Sequence, residues 1–96
     1  MKGYWVAFVD INDPVKYQDY LELAPVALKN YGAKILARGE QLTALEGFET
    51  VPHRAVVFEF ESYEQALSCY HSEDYQFARS QRTGAAEAQI VIMQGA

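Results

Sequence analysis

The stretch that most constrains this chain is "GYWVAFVDI", Gly3 to Ile11. Both of its alternating faces are apolar, it is rich in aromatic and β-branched residues, and it is too short for a helix. An apolar run of that length without a polar face belongs to a central strand covered on both sides. Any fold for this chain must give Gly3–Ile11 strand neighbours and a cover for each face.

The rest of the chain supplies them. "NDP" follows at once, with Asp13 as an N-cap and Pro14 at the first helical position. Tyr17, Tyr20, Leu21, Ala24, Leu28 and Tyr31 then recur at helical spacing, and Gly32 closes the helix. Pro25 lies inside this pattern and predicts a kink or a split, because it lacks an N–H and crowds the preceding turn. "AKILARG", Ala33 to Gly39, is a second strand, and "EQLTALEGFETVP" is a hairpin arm with a turn near Glu46-Gly47. "HRAVVFEFE", His53 to Glu61, is a third strand. "SYEQ" is a capping box in which Gln65 reaches back to Ser62, followed by an apolar stripe of Tyr63, Ala66, Leu67 and Tyr70. "SEDYQFARSQR" adds another helical turn or two, capped by Ser72, and "AQIVIMQG", Ala88 to Gly95, is the last strand. The order β-α-β-β-α-β predicts an α+β, ferredoxin-like fold: a four-stranded antiparallel sheet with its helices on one face. Residues 1–96 form a single domain on this reading.

A sheet with helices on one side leaves the other side bare. Alternation in the third strand sends Val56, Phe58 and Phe60 to the helices and Ala55, Val57 and Glu59 to the bare face. In the second strand Ile35 and Ala37 match the core, so Lys34, Leu36 and Arg38 point to the bare face and Arg38 comes near Glu59. Most of that face is apolar, and a monomer would expose it. A homodimer that pairs the helix-free sheet faces about a two-fold axis is therefore expected.

Charge and cysteine content narrow the partners. A formal charge of −5 disfavours nucleic acid and anionic membrane surfaces. No apolar run approaches the roughly 20 residues of a membrane span, and Asp10 arrives too early for a secretory signal. With Cys69 as the only cysteine, no intrachain disulfide is possible, which suits the cytoplasm.

Candidate chemistry is sparse. Cys69, His71 and His53 match no structural zinc spacing, so no metal is expected. Cys69 has no base placed beside it by spacing, and Gly32, Gly39 and Gly47 are scattered rather than forming a phosphate loop. No flavin or nicotinamide fingerprint appears, so no cofactor is expected. His53 and His71 are the side chains suited to acid–base work near neutrality, although His71 also suits a helix C-terminus for electrostatic reasons. The candidate site is Arg38, Glu59, Tyr70, Tyr75, Arg79 and Arg82. Arginine offers a planar donor fork for carboxylates, and tyrosine an apolar wall with a polar tip. The structural alternative stands beside it: Tyr75 anchors a helix, and the arginines bridge to a partner chain.

In sequence the chain resembles the DUF1330 family, within the dimeric α/β-barrel superfamily. The matching pieces are "GYWVAFVDINDPVKYQDY", "YGAKILARGE", "LEG", "RAVVFEFESYEQAL", "CYHSEDYQFARSQR" and a final "IVIMQG". The resemblance implies a ferredoxin-like subunit and a barrel-like dimer, and it aligns Arg38, Tyr75 and Arg82 with the family pattern. Cys69 stands where the family usually has Trp. No reaction comes with the resemblance. Two expectations remain. One is a cofactor-independent enzyme acting on a small aromatic or carboxylate-bearing molecule in a cleft near the dimer interface. There Arg38, Glu59 and His53 would be catalytic and Tyr70, Tyr75, Arg79 and Arg82 would bind the ligand. The other is a non-catalytic homodimeric module that binds a small metabolite or serves only as a structural dimer.

Overall fold

The computed structural model describes every residue from Met1 to Ala96. Its elements are β1 (Gly3–Ile11), α1 (Pro14–Asn30), β2 (Lys34–Gly39), β3 (Arg54–Phe60), α2 (Tyr63–His71), α3 (Glu73–Ser80) and β4 (Ala86–Gln94). The strands form one antiparallel sheet in the order β2-β3-β1-β4, so the all-apolar β1 is an interior strand, as its sequence requires. Trp5, Ala7 and Val9 point to the helices and are buried, whereas Tyr4, Val6 and Phe8 point to the other face. This is the α+β, ferredoxin-like arrangement. No helix is long and apolar enough to cross a membrane.

Local signals explain the helices. The Lys16 N–H donates to the Asp13 carboxylate at 3.1 Å, which satisfies a backbone donor that α1 would otherwise orphan. Gly32 sits at φ +78° and supplies the left-handed turn that ends α1. Pro25 does not split α1, which runs unbroken from Pro14 to Asn30. Pro25 is exposed, and an exposed turn tolerates a missing N–H better than a packed one. Ser72 closes α2 and opens α3: its hydroxyl donates to the Cys69 carbonyl at 2.7 Å and accepts from the Tyr75 N–H at 3.1 Å. Ser62 caps α2 through the Gln65 N–H at 3.0 Å. The Gln65 side chain does not reach back to complete a capping box. Its amide donates to the Tyr31 carbonyl at 3.1 Å and ties α2 to the end of α1.

The segment 40–53 is not a hairpin arm. It has no alternating pattern and no strand, and Gly47 turns it at φ +82°. It crosses the helix-free face, where Phe48 meets Phe8 edge-on at 5.7 Å between ring centres. His53 ends it with a two-point latch. The His53 Nδ1 accepts from the Ile11 N–H at 2.9 Å, and the His53 N–H donates to the Asp10 carboxylate at 3.1 Å.

The helix layer is uneven. α2 lies close on β1, while α1 packs beside α3 and stands off the strands. Gly3 permits the close approach, because a Cβ there would lie 2.5 Å from the Ser62 carbonyl oxygen. Trp5, Phe60, Cys69 and Tyr75 fill the space under α2 and α3 almost without exposure. Trp5 meets Tyr75 edge-on at 4.9 Å and stacks near Phe60 at 6.0 Å. Cys69, small but wholly buried, belongs to the same core.

Candidate functional site

Where α1 stands off the sheet, a cavity of about 480 Å³ opens between them. That volume is within the range of small-molecule pockets. Its floor is the helix-facing side of the sheet, including Ala7, Val56, Phe58 and Ile90, and α1 roofs it with Tyr20, Leu21, Ala24 and Leu28. Small side chains at Ala7, Ala24 and Ala88 leave the volume unfilled. The wall is mostly apolar, yet Arg38, Arg54, Arg82 and Lys29 line it and no Asp or Glu does.

The position of Arg38 rests on an irregularity in β2. Lys34 pairs with Glu59 and Ile35 with Phe58, but the next pairs are Ala37 with Val57 and Arg38 with Val56. Leu36 is the extra residue of a β-bulge, and beyond it the alternation is reversed. Arg38 therefore faces the helices, on the side of Val56. The expected neighbourhood of Arg38 and Glu59 on the bare face does not form, because the two lie on opposite faces of the sheet. Glu59 accepts instead from the Tyr4 hydroxyl at 3.0 Å, a contact that raises the Tyr4 pKa.

Arg54 comes from β3. It pairs with Val9 and lies two residues before Val56, on the same helix-facing side. Arg38 and Arg54 are thus diagonal neighbours on adjacent strands, a separation of about 7–8 Å between backbones. Neither has a carboxylate partner. The two contacts between a basic and an acidic side chain, Lys2–Glu61 at 3.1 Å and His53–Asp10 at 4.0 Å, lie elsewhere.

Arg82 enters from the turn after α3. Its guanidinium carbon sits 5.2 Å from the centre of the Tyr20 ring, a cation–π contact. The Tyr20 and Tyr75 hydroxyls are 2.9 Å apart and hydrogen-bonded. Burial opposes the charge on Arg82, but the Tyr75 and Tyr20 phenols outweigh it and the net pKa shift is upward. Tyr20 is pushed well above the usual phenol range, first by burial and then by Tyr75.

Tyr17 is only 4% exposed and lines the cavity. Burial raises its pKa, while Arg54 and Arg82 pull it down, which places both guanidiniums within electrostatic reach of the phenol. No protein group hydrogen-bonds its hydroxyl, and the oxygen is not sealed from contact. Cavity, Tyr17 and arginines meet at the Val9 end of the sheet, where Val9, Tyr17, Ala85 and Ala86 cluster.

Of the residues singled out from sequence, Arg38 and Arg82 line this cavity. Tyr75 is wholly buried and acts behind it through Tyr20. Tyr70 packs on Trp5 at 5.7 Å and on Tyr75 at 5.5 Å. Arg79 is exposed on α3 and makes a long contact with Gln76 at 3.5 Å. Glu59 is on the opposite face and His53 latches the 40–53 segment, so neither reaches the cavity. His71 is exposed with its ring edge-on to Tyr70. Cys69 is buried and its thiol pKa is pushed up to about 12 by burial, which makes it inert rather than nucleophilic. Sequence reasoning missed Arg54 and Tyr17. The signal for Arg54 was available: the alternation of Phe60, Phe58 and Val56 extends back to it.

Solved structures of the same fold are numerous. A protein of unknown function from Rhodopseudomonas palustris is similar at TM-score 0.74 and 14% identity, covering 99% of this chain and 82% of that one. A dimeric ferredoxin-like protein of unknown function from Thermobifida fusca is similar at TM-score 0.57 and 18% identity, covering 99% and 92%. SnoaB, a cofactor-independent oxygenase from Streptomyces nogalater, is similar at TM-score 0.67 and 4% identity, covering 99% and 93%. At such identities the likeness shows the fold. Curated protein sequences give no match. A family model matches residues 2–96, nearly the whole chain, and the protein belongs to that family, the domain of unknown function DUF1330.

Proposed function

We propose that this is a cytoplasmic, homodimeric protein whose cavity under α1 takes up a small, largely apolar organic molecule. The observation that carries this reading is the cavity itself, about 480 Å³ of apolar-walled space in a chain whose other half is tightly filled. A mostly apolar cleft of this size, open on one side, is the kind of concavity in which small molecules bury their surface. Dimerisation fits the helix-free face, where Val91 and Met93 are 56% and 54% exposed beside Val6 and Val57. Dimeric structural neighbours support it. The lone buried Cys69 suits a reducing compartment.

A second reading, catalysis without a bound cofactor, is favoured by the likeness to a cofactor-independent oxygenase. No imidazole or carboxylate lines the cavity, so such a reaction would draw on positioning and on charge stabilisation by Arg38, Arg54 and Arg82.

Filling the hollow tests the binding reading. Thermal-shift screening of small aromatic and aliphatic compounds should find ligands that stabilise the wild type but not Ala24→Phe, whose ring would project into the cavity. Ligands that stabilise both proteins equally would place the binding site elsewhere and contradict the reading.

A further inference from the structure

The polar groups of the cavity decide what kind of molecule it takes, given the reading above that it takes one. Arg38, Arg54 and Arg82 line the cavity together with Lys29, and no acidic residue balances them. Like charges gathered on one wall repel one another even where solvent reaches them. This happens in a chain whose net charge is −5, so carboxylates are plentiful on the molecule but absent from this wall. Arg82 has protein partners in Tyr20 and Tyr75, whereas Arg38 and Arg54 have none. A second, independent sign is Tyr17. It is 96% buried by residue, it lines the same cavity, and its hydroxyl has no protein partner. Its hydroxyl oxygen stays accessible, so the phenol is free to donate to a molecule in the cavity.

We propose that the occupant is an organic anion, an apolar body carrying a carboxylate, whose acid group is held between the Tyr17 hydroxyl and the Arg54 and Arg82 guanidiniums, with Arg38 beside them on the adjoining strand. The apolar body lies over Ala7, Val56 and Ile90 under the small side chain of Ala24. A carboxylate satisfies all the observations at once. It accepts from the phenol, it pairs with a planar guanidinium fork, and it relieves the repulsion between Arg38 and Arg54. A phosphoryl group fits less well, because no helix N-terminus or glycine-rich turn contributes backbone donors to the wall.

The test uses three probes of one shape: 2-naphthoate, its neutral isostere 2-naphthamide, and 2-naphthyl phosphate. Binding to the intact protein is measured by calorimetry at two salt concentrations. The naphthoate should bind about ten- to a hundredfold more tightly than the amide, the worth of a charge-assisted hydrogen bond or two. Arg54→Gln should erase most of that preference and Tyr17→Phe part of it. Arg79→Gln, on the exposed side of α3, should leave it intact. Circular dichroism and melting of each variant check that the fold is kept. Equal affinity for naphthoate and naphthamide would overturn the anion assignment while leaving the cavity reading in place. Tighter binding of the naphthyl phosphate would overturn the carboxylate. Failure of all three probes to bind would remove the cavity reading, and this inference with it.

Discussion

The two halves of the helix-covered face are made from similar residues and do opposite things. Under α2 and α3, Trp5, Phe60, Cys69, Tyr75 and Ala78 are all at 1% exposure or below. Under α1, Ala7, Ala24 and Ala88 line a cleft, with Arg38, Arg54 and Arg82 on its wall. The cause is local. Gly3 lets the start of α2 approach β1, whereas α1 rests on α3 and is held off the strands. The contrast is one of degree within a single core, since Ala7, Ala24 and Leu28 of the cleft wall belong to the same buried cluster as Cys69 and Ala78. Trp5 and Tyr75 join the two halves: Trp5 packs in the filled half and also lines the cavity, and Tyr75 has its ring in the filled half and its hydroxyl bonded to Tyr20 on the cavity wall.

Substitutions can break or sharpen that division. The largest effect belongs to the filled half. Trp5→Ala should destabilise the fold by about 3–5 kcal/mol, since it opens a void among four aromatic rings. Urea unfolding that shows less than about 1 kcal/mol would mean that this half is not tightly packed. Tyr75→Phe should cost about 1 kcal/mol by removing the bond to Tyr20 while keeping the ring. It should also loosen the support of Arg82, seen as weaker ligand binding.

Alkaline pH probes the filled half in another way. The Cys69 thiol is raised from 9.0 to about 12 by burial. Between those values the unfolded thiol loses its proton and the folded one keeps it, so the folded state binds more protons and stability falls as pH rises. Below about pH 9 the contribution is fully present. Buried Tyr17 and Tyr20, also shifted up, act in the same direction at higher pH. Melting curves from pH 8 to 11 should therefore decline, and Cys69→Ala should decline less steeply than the wild type. An identical slope would show that the thiol stays accessible to ionisation in the folded state.

The smallest effect on stability is expected in the hollow half. Arg54→Gln should change unfolding free energy by no more than about 0.5 kcal/mol without ligand, because the guanidinium has no protein partner to lose. A large destabilisation would reveal a structural role for Arg54 and merge the two halves.

Much of the fold was legible in the sequence, because its signals are local. The apolar Gly3–Ile11 run marked the interior strand, Asp13 and Ser72 marked helix starts, and Gly32 marked a helix end. The site was legible only in fragments. A strict alternation puts Arg38 on the bare face, but one extra residue at Leu36 carries it to the other side, and nothing in "KILARG" announces a bulge. Gln65 follows a capping-box spacing, yet the carbonyl of Tyr31, thirty-four positions earlier, wins its amide. Tyr17 looked like any core position on α1. That its hydroxyl ends in a hollow depends on how far α1 stands from the sheet, which is a property of packing and not of spacing. The stretch "CYHSEDYQFARSQR" is dense in reactive side chains, yet most of them cap helices, pack in the core or face solvent. In that stretch only Arg82 reaches the cavity.

The division of labour is tested most directly by mapping where 2-naphthoate acts on the folded protein. Backbone amide resonances followed through a titration should shift at Tyr17, Ala24, Arg54 and Ala88, and stay in place at Ala66 and Cys69. Shifts confined to the helix-free face, at Val57, Val91 or Met93, or none at saturating naphthoate, would contradict the assignment of the α1 cavity as the binding site.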